Sequence, residues 1–414
     1  MRRRIARFGG WAAAGILGIG TGSVAEAQTS FCTSQLELLN EYVGPLVKPV
    51  SSEKGMDGQA VGVVGVTLKL GEAPCFFRGG EKALGAGPPD ANTIFELASI
   101  TKVFTTAILA LRSQQFFPVD SSVETYLPPD YDLQTNEQEV TFQQLATFTG
   151  GFTWDQPPDF NWKDGYTQAR FVKQVNKLDP QKKFNGVTYL PTQDFYSNGS
   201  IGLLGQILMY SDAGKKGEEY HHADGFSKWI SRNLTGPLDM PNTAVEPAWS
   251  DWAQGYKEEG NGSYEKLDGF PWVPWGPAGA LRSNANDMLK FLEANICAYH
   301  PGNPACTSVP LDILDALPVA HEANTYIPVG YLPDPKIYIG KSETLEQGWA
   351  WRVAPPPDPN PNGVTTIISK DGGHPGFSTY IGFNPDKKYG IVILMNTGHV
   401  LAKKAGLEVI KHTN

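Results

Sequence analysis

Apolar and polar positions alternate from Ala60 to Leu70 around Val61, Val63, Val66 and Leu68, in a run rich in β-branched residues. A period of two predicts a strand. Gly71 and Glu72 turn it toward a second extended run near Cys75, Phe76 and Phe77, which makes a hairpin. A helix is expected upstream, from Gln35 to Val47. Ile94 to Leu97 is a short extended entry into a segment with helical spacing from Ile100 to Leu111. From about Pro118 to Ile296 the pattern is helical with long loops, the candidates being Val140 to Thr147, Gly199 to Met209, Gly225 to Leu234 and Asn284 to Cys297. Ser283 is placed as the N-cap of the last, with Asp287 in its first turns. Strands return at Thr365 to Lys370, Ser378 to Asn384 and Tyr389 to Asn396. Pro385 to Lys388 turns between the last two, and Leu401 to Lys411 closes as a helix.

Strands therefore open and close the chain, and helices fill its middle. The expected fold is α+β: an antiparallel sheet flanked by helices, with strands from about 28–98 and 320–414 and a mostly helical region inserted at about 99–319. No internal repeat occurs. The one biased segment, Pro355 to Pro361, reads either as a stiff connector or as a lip over a site.

The N-terminus changes the picture. Arg2, Arg3, Arg4 and Arg7 precede an apolar run from Trp11 to Gly20, and Ala25-Glu26-Ala27 supplies a small-x-small cleavage site. Residues 1–27 read as an export signal, leaving 28–414 as the mature domain. The apolar run is too short and too Gly-rich for a comfortable bilayer span, and no later stretch looks transmembrane. A secreted or periplasmic location follows. The formal charge is −9, and the segment 1–27 carries four arginines and one glutamate, so the mature chain is near −12. That disfavours nucleic acid and anionic lipid as partners. Four cysteines in an exported chain imply two disulfides. Cys297 and Cys306 close a short loop, which leaves Cys32 for Cys75.

Candidate chemistry narrows by elimination first. No G-x-S-x-G and no H-E-x-x-H occurs, and the histidines are scattered apart from His221-His222, so neither a metal nor another cofactor is expected. S-x-x-K occurs at Ser51 to Lys54, Ser99 to Lys102 and Ser263 to Lys266. Only Ser99 stands between a short apolar strand and an apolar helix, where Lys102 lies one turn on over the same face. A lysine that close to a hydroxyl in a partly dry site can lose its proton and act as base. The bland alternative is an N-cap serine beside a solvated lysine. Tyr196-Ser197-Asn198 is the only Y-x-N among 16 tyrosines and precedes a Gly-rich apolar helix. Two ammonium groups near Tyr196 would stabilise its phenolate, and Asn198 offers an amide for a substrate amide. Asn198-Gly199-Ser200 is also a glycosylation sequon. Lys370-Asp371-Gly372 ends an apolar β run and is followed by a glycine-rich edge, whose N–H groups could serve as oxyanion donors.

In that order, S-x-x-K, Y-x-N and K-x-G resemble class C β-lactamases and their relatives among DD-peptidases, D-aminopeptidases and family VIII-type esterases. The resemblance runs along nearly the whole mature chain, through "FELASITKVFTT", "VTFQQLATFTGGFTWDQPPD", "FYSNGSIGLLG", "GPAGALRSNANDMLKFL" and "KDGGHPGFSTYIGFNPDKKYGIVILMN". It implies Ser99 as nucleophile, Lys102 and Tyr196 sharing the base role, Lys370 supplying positive potential, Gln156 and Asn198 orienting substrate, and the backbone N–H groups of Ser99 and Gly373 cradling the oxyanion. Asp371 and Gly372 would line the substrate edge.

One departure concerns Asp371, which stands where these lactamases and peptidases usually place threonine. An ionised aspartate would repel a substrate carboxylate by about 1–4 kcal/mol at contact range, unless it turns outward or pairs with Lys370. Efficient β-lactam hydrolysis is therefore not the expected native task. Small-molecule or peptide substrates remain: cell-wall peptides, β-lactams or esters. The alternatives are a carboxylesterase and, in another class, a catalytically silent binding or sensor protein. Retention of all four reactive side chains argues against silence. Trp154, Trp272 and Trp275 could line an apolar pocket or pack a small core.

Overall fold

The computed structural model describes residues 22–48, 58–114, 118–127, 139–150, 196–212, 223–269, 276–322, 325–327, 345–354, 365–399 and 402–413. Gln156, the three tryptophans Trp154, Trp272 and Trp275, His221-His222, Ser51 to Lys54, Pro355 to Pro361 and most of the expected signal lie outside them.

One eight-stranded antiparallel sheet joins the two ends of the sequence. Its strands are β1 (Gly62–Lys69), β2 (Cys75–Gly80), β7 (Thr325–Ile327), β8 (Leu345–Gln347), β9 (Arg352–Ala354), β10 (Ile367–His374), β11 (Phe377–Asn384) and β12 (Tyr389–Met395). The order across the sheet is β2-β1-β12-β11-β10-β9-β8-β7. β1 pairs with β2 on one side and with β12 on the other, Val66 lying opposite Val392. β1, β11 and β12 are buried almost throughout, which is what strands covered on both faces require.

The two faces carry separate cores. Val64, Val66, Ile381, Val392 and Leu394 pack on one face with Val103, Phe104, Met288 and Phe291. Those partners come from helices α2 (Thr101–Ser113) and α7 (Ala285–Cys297). Val63, Tyr380, Tyr389 and Ile393 pack on the other face with Leu39, Ala405 and Val409. These come from α1 (Gly22–Tyr42) and α9 (Ala402–His412). The inserted region contributes α3 (Phe142–Ala146), α4 (Asn198–Asp212), α5 (Ala223–Ile230), α6 (Gly276–Gly279) and α8 (Leu311–His321), and the short strands β3 (Phe95–Glu96), β4 (Tyr256–Glu258), β5 (Tyr264–Lys266) and β6 (Arg282–Ser283).

Several expectations need correction. The first helix begins at Gly22 and ends at Tyr42, well before Val47. Asn284, not Ser283, caps α7: its Oδ1 accepts from the Asp287 amide at 2.9 Å, while Ser283 belongs to β6 and its hydroxyl meets that of Thr243. The inserted region contains two small sheets, β3–β6 and β4–β5. Lys370 does not end a strand; β10 runs on to His374. The cysteines pair as expected, Cys32 with Cys75 and Cys297 with Cys306.

Candidate active site

Ser99 lies in a tight 3-10 turn, Ala98–Ile100, between β3 and α2. Ala98, immediately before it, holds φ at 48°. The left-handed region costs a residue with a Cβ roughly 1–2 kcal/mol, and such strain collects where a side chain must be aimed. The turn is held from two sides. Thr379 Oγ1 on β11 donates to the Leu97 carbonyl at 2.9 Å, and the Leu281 amide donates to Thr101 Oγ1 at 3.1 Å. Gly372 presses on the same segment: a Cβ there would lie 2.2 Å from Leu97 O and 3.2 Å from Ser99 N. Only glycine allows β10 to approach the turn this closely.

Lys102 is fully buried, and its Nζ makes three contacts: Ser99 Oγ at 2.9 Å, Asn198 Oδ1 at 2.7 Å and the Ala278 carbonyl at 2.7 Å. Asn198 arrives on the first turn of α4 and Ala278 on α6. These two helices meet at Gly205, where a Cβ would strike the Pro277 ring at 2.2 Å. Thr105 Oγ1 on α2 fixes the same loop by donating to Pro277 O at 2.7 Å. Burial, and then the neighbouring Lys370, push the Lys102 amine well below the usual lysine range. In its neutral form the amine has two protons for the Asn198 and Ala278 oxygens. Its lone pair then faces the Ser99 hydroxyl.

Tyr196 sits between the two lysines, with Lys102 Nζ 4.9 Å and Lys370 Nζ 5.0 Å from its ring centroid. Phe148 packs against the ring at 4.9 Å. The expected phenolate does not follow. Burial raises the phenol above its ordinary value of 10, and a side-chain hydrogen bond with Ser99 opposes this without prevailing. Burial thus disfavours the phenolate of Tyr196 and the ammonium of Lys102 alike. Lys370 is likewise buried; burial lowers its amine to about 8 despite Asp371, and Nζ donates to the Asp371 carbonyl at 2.7 Å.

Asp371 does not face the serine. Lys370 lies opposite Ile381 and Asp371 opposite Tyr380, so the two neighbours point to different faces of the sheet. The Asp371 carboxylate reaches Lys403 Nζ at 3.6 Å and Arg352 Nε at 3.7 Å on the α9 face. Burial works against its charge, but Lys403, Lys370 and Arg352 together hold it well below the usual carboxylate range. The expected contact repulsion of a substrate carboxylate by Asp371 is not supported by this placement. The sequon at Asn198 is equally occupied: its amide oxygen is bonded to Lys102, and Ser200 is buried with its hydroxyl on Leu145 O.

Ser99, Lys102, Tyr196, Asn198, Lys370 and Gly372 are thus gathered at one place, with Gly373 next on the same strand. The Ala278 carbonyl joins them without having been foreseen. Of the other S-x-x-K candidates, Ser263 stands at the turn of the β4–β5 hairpin, with Lys266 exposed. Beside the serine turn lies a cavity of about 480 Å3, lined in part by Trp252, Gln254, Leu267, Arg282, His374 and Phe377; Ser99 itself is not on its wall. Among the described residues, no group of three or more metal-ligating side chains converges, and no helix is long and apolar enough to cross a membrane.

Comparison with known proteins adds a further line. A family model described as Beta-lactamase matches residues 53–412. A beta-lactamase of Lysobacter lactamgenus is 27% identical over 341 residues, covering 74% of this chain and 74% of that protein. One of Pseudomonas fluorescens is 24% identical over 385 residues, covering 88% of this chain and 96% of its own. Among solved structures, a class C beta-lactamase superposes with a TM-score of 0.70 at 19% identity, over 92% of this chain and 97% of that one.

Proposed function

Since the chain belongs to the Beta-lactamase family, we propose that its serine-hydrolase chemistry runs through Ser99, with Lys102 as the base. The observation that carries this is the 2.9 Å contact between Lys102 Nζ and Ser99 Oγ, made by an amine whose charge is disfavoured by burial. The Ser99 proton passes to Lys102 as Oγ bonds to the substrate carbonyl carbon. The backbone N–H groups of Ser99 and Gly373 receive the oxyanion. As the intermediate collapses, the Tyr196 phenol gives its proton to the leaving group and is restored from the Lys102 ammonium. Water then attacks the acyl-enzyme, losing its proton to the same relay, and Ser99 regains its own. Lys370 supplies positive potential beside Tyr196. Asn198 holds Lys102 and presents its amide toward the substrate.

The substrate is a small acyl compound: a cell-wall peptide, a β-lactam or an ester. Two disulfides and the N-terminal signal pattern support export to a secreted or periplasmic location.

Intact-protein mass spectrometry after mixing with benzylpenicillin tests the reading. A mass increase equal to the penicillin on wild type, absent from Ser99→Ala, is expected if β-lactams acylate the serine. Absence of that adduct, with a p-nitrophenyl ester hydrolysed by wild type alone, assigns the same serine to ester chemistry. Equal activity of Ser99→Ala on both substrates overturns the assignment.

A further inference from the structure

We infer that Glu96 and His374 form a positioning clamp that sets the gap between the two oxyanion donors. The inference rests on the assignment of Ser99 and Gly373 above. Those two N–H groups belong to separate elements, the turn after β3 and the edge of β10, and nothing in the local sequence fixes their spacing. Glu96 stands three residues before Ser99 and His374 immediately after Gly373. His374 Nε2 lies 2.6 Å from Glu96 Oε2, and the two side chains are only 7% and 6% exposed.

The carboxylate is braced from behind. Glu96 Oε1 accepts from Arg282 Nη2 at 3.0 Å and from Nε at 3.3 Å. Glu96 and Arg282 are also register partners between β3 and β6, and the guanidinium is tied to the Val245 carbonyl. Burial disfavours the Glu96 charge, but His374 and Arg282 outweigh it and keep the carboxyl below its ordinary value. On the other side, the His374 ring packs on Phe377 with centroids 5.3 Å apart. One rigid chain of contacts thus runs from β6 through Glu96 to the end of β10. Gly372 against Leu97 marks the opposite end of the same seam.

Buried ion pairs contribute little net stability compared with apolar packing, so their more informative effect is on geometry. Displacing one catalytic group by about 1 Å can cost roughly a hundredfold in rate. Loosening the clamp should therefore lower kcat while leaving ground-state binding in place.

The test measures kcat and KM for p-nitrophenyl acetate, the inhibition constant of phenylboronic acid, and the melting temperature, for wild type, Glu96→Gln, His374→Gln and the double variant. Phenylboronic acid forms a tetrahedral adduct on a serine, so its affinity reads the oxyanion gap without turnover. The expected result is a fall in kcat of about tenfold to a hundredfold at unchanged KM. Boronate affinity should weaken by a similar factor, and the double variant should be no worse than the stronger single one. Arg282→Lys keeps both clamp residues and slackens only the brace; a smaller fall in kcat is expected, and it decides the matter if a glutamine variant does not fold. Unchanged kcat and boronate affinity in folded variants would overturn the clamp, as would a rise in KM alone. Wild type that neither hydrolyses the ester nor binds the boronate would instead overturn the Ser99 assignment beneath it.

Discussion

Two buried clusters of charge lie within a few residues of Ser99, and they are built on opposite principles. At the clamp, one carboxylate is paired and hydrogen-bonded with Arg282, and His374 lies against its other oxygen. Around Tyr196, two buried lysines face one aromatic ring, while the Asp371 carboxylate beside Lys370 points to the far face of the sheet. Matched charge holds a shape. Unmatched charge is held under stress, and that stress appears as amines that release their protons more easily than a lysine in water. The mechanism proposed above assigns proton transfer to one of these amines, Lys102.

The contrast can be broken directly. Lys102→Met removes the proposed base and should cost about a hundredfold to ten-thousandfold in kcat on any ester that acylates Ser99. It should leave the melting temperature unchanged or raised, because an uncompensated buried amine is gone. Arg282→Met should do the reverse to stability: it strands Glu96 and is expected to destabilise by about 3–5 kcal/mol in chemical denaturation. Equal destabilisation by both substitutions would erase the distinction between the clusters.

Milder measurements sharpen it. Lys370 is charged below its value of about 8 and neutral above it. If its charge supports acylation, log kcat/KM should fall with a slope near −1 above that pH. Lys370→Arg, whose guanidinium stays charged, should move that limb upward. A limb that stays in place after this exchange belongs to another group. The smallest effect concerns His321 on α8, which is buried between Tyr299 and Asn295 and lowered by burial to about 3. Its folded value lies below its unfolded one, so stability is complete above about pH 6.5. It should decline by up to roughly 1.4 kcal/mol per pH unit as pH falls toward 3. His321→Gln should flatten that acid limb in thermal melts without affecting hydrolysis.

The part of the site that could be read from the sequence is the part carried by short spacings. Ser99 and Lys102 share one helical turn, and Tyr196 and Asn198 straddle the start of a helix. The order of the three motifs supplied the rest. The Ala278 carbonyl left no mark, since a backbone oxygen has no residue type. The Glu96–His374 contact joins positions 278 residues apart in numbering, and only the sheet brings them together. Strands β7, β8 and β9 have three residues each, too few to display a period of two. Helix α8 carries Pro318, which reads as a breaker although it sits near the helix end. For Tyr196 the neighbours were read correctly and the medium was not: proximity of two ammonium groups argued for phenolate, while burial, invisible in a pattern, argued more strongly for phenol. Asp371 is the converse, since alternation along β10 already places it opposite to Lys370.

The seam between β1 and β12 bears on how such a chain comes to be folded. Val63 pairs with Met395, so the strand made near the start of synthesis finds its central partner only after more than three hundred further residues. At ribosomal rates of about 5–20 residues per second, the β1–β2 hairpin waits roughly 20–60 seconds with one apolar edge unfilled. The last-made segment also supplies Lys370, Gly372 and Gly373. A chain lacking β10 to β12 can therefore neither close its sheet nor bring Lys370, Gly372 and Gly373 to the Ser99 turn.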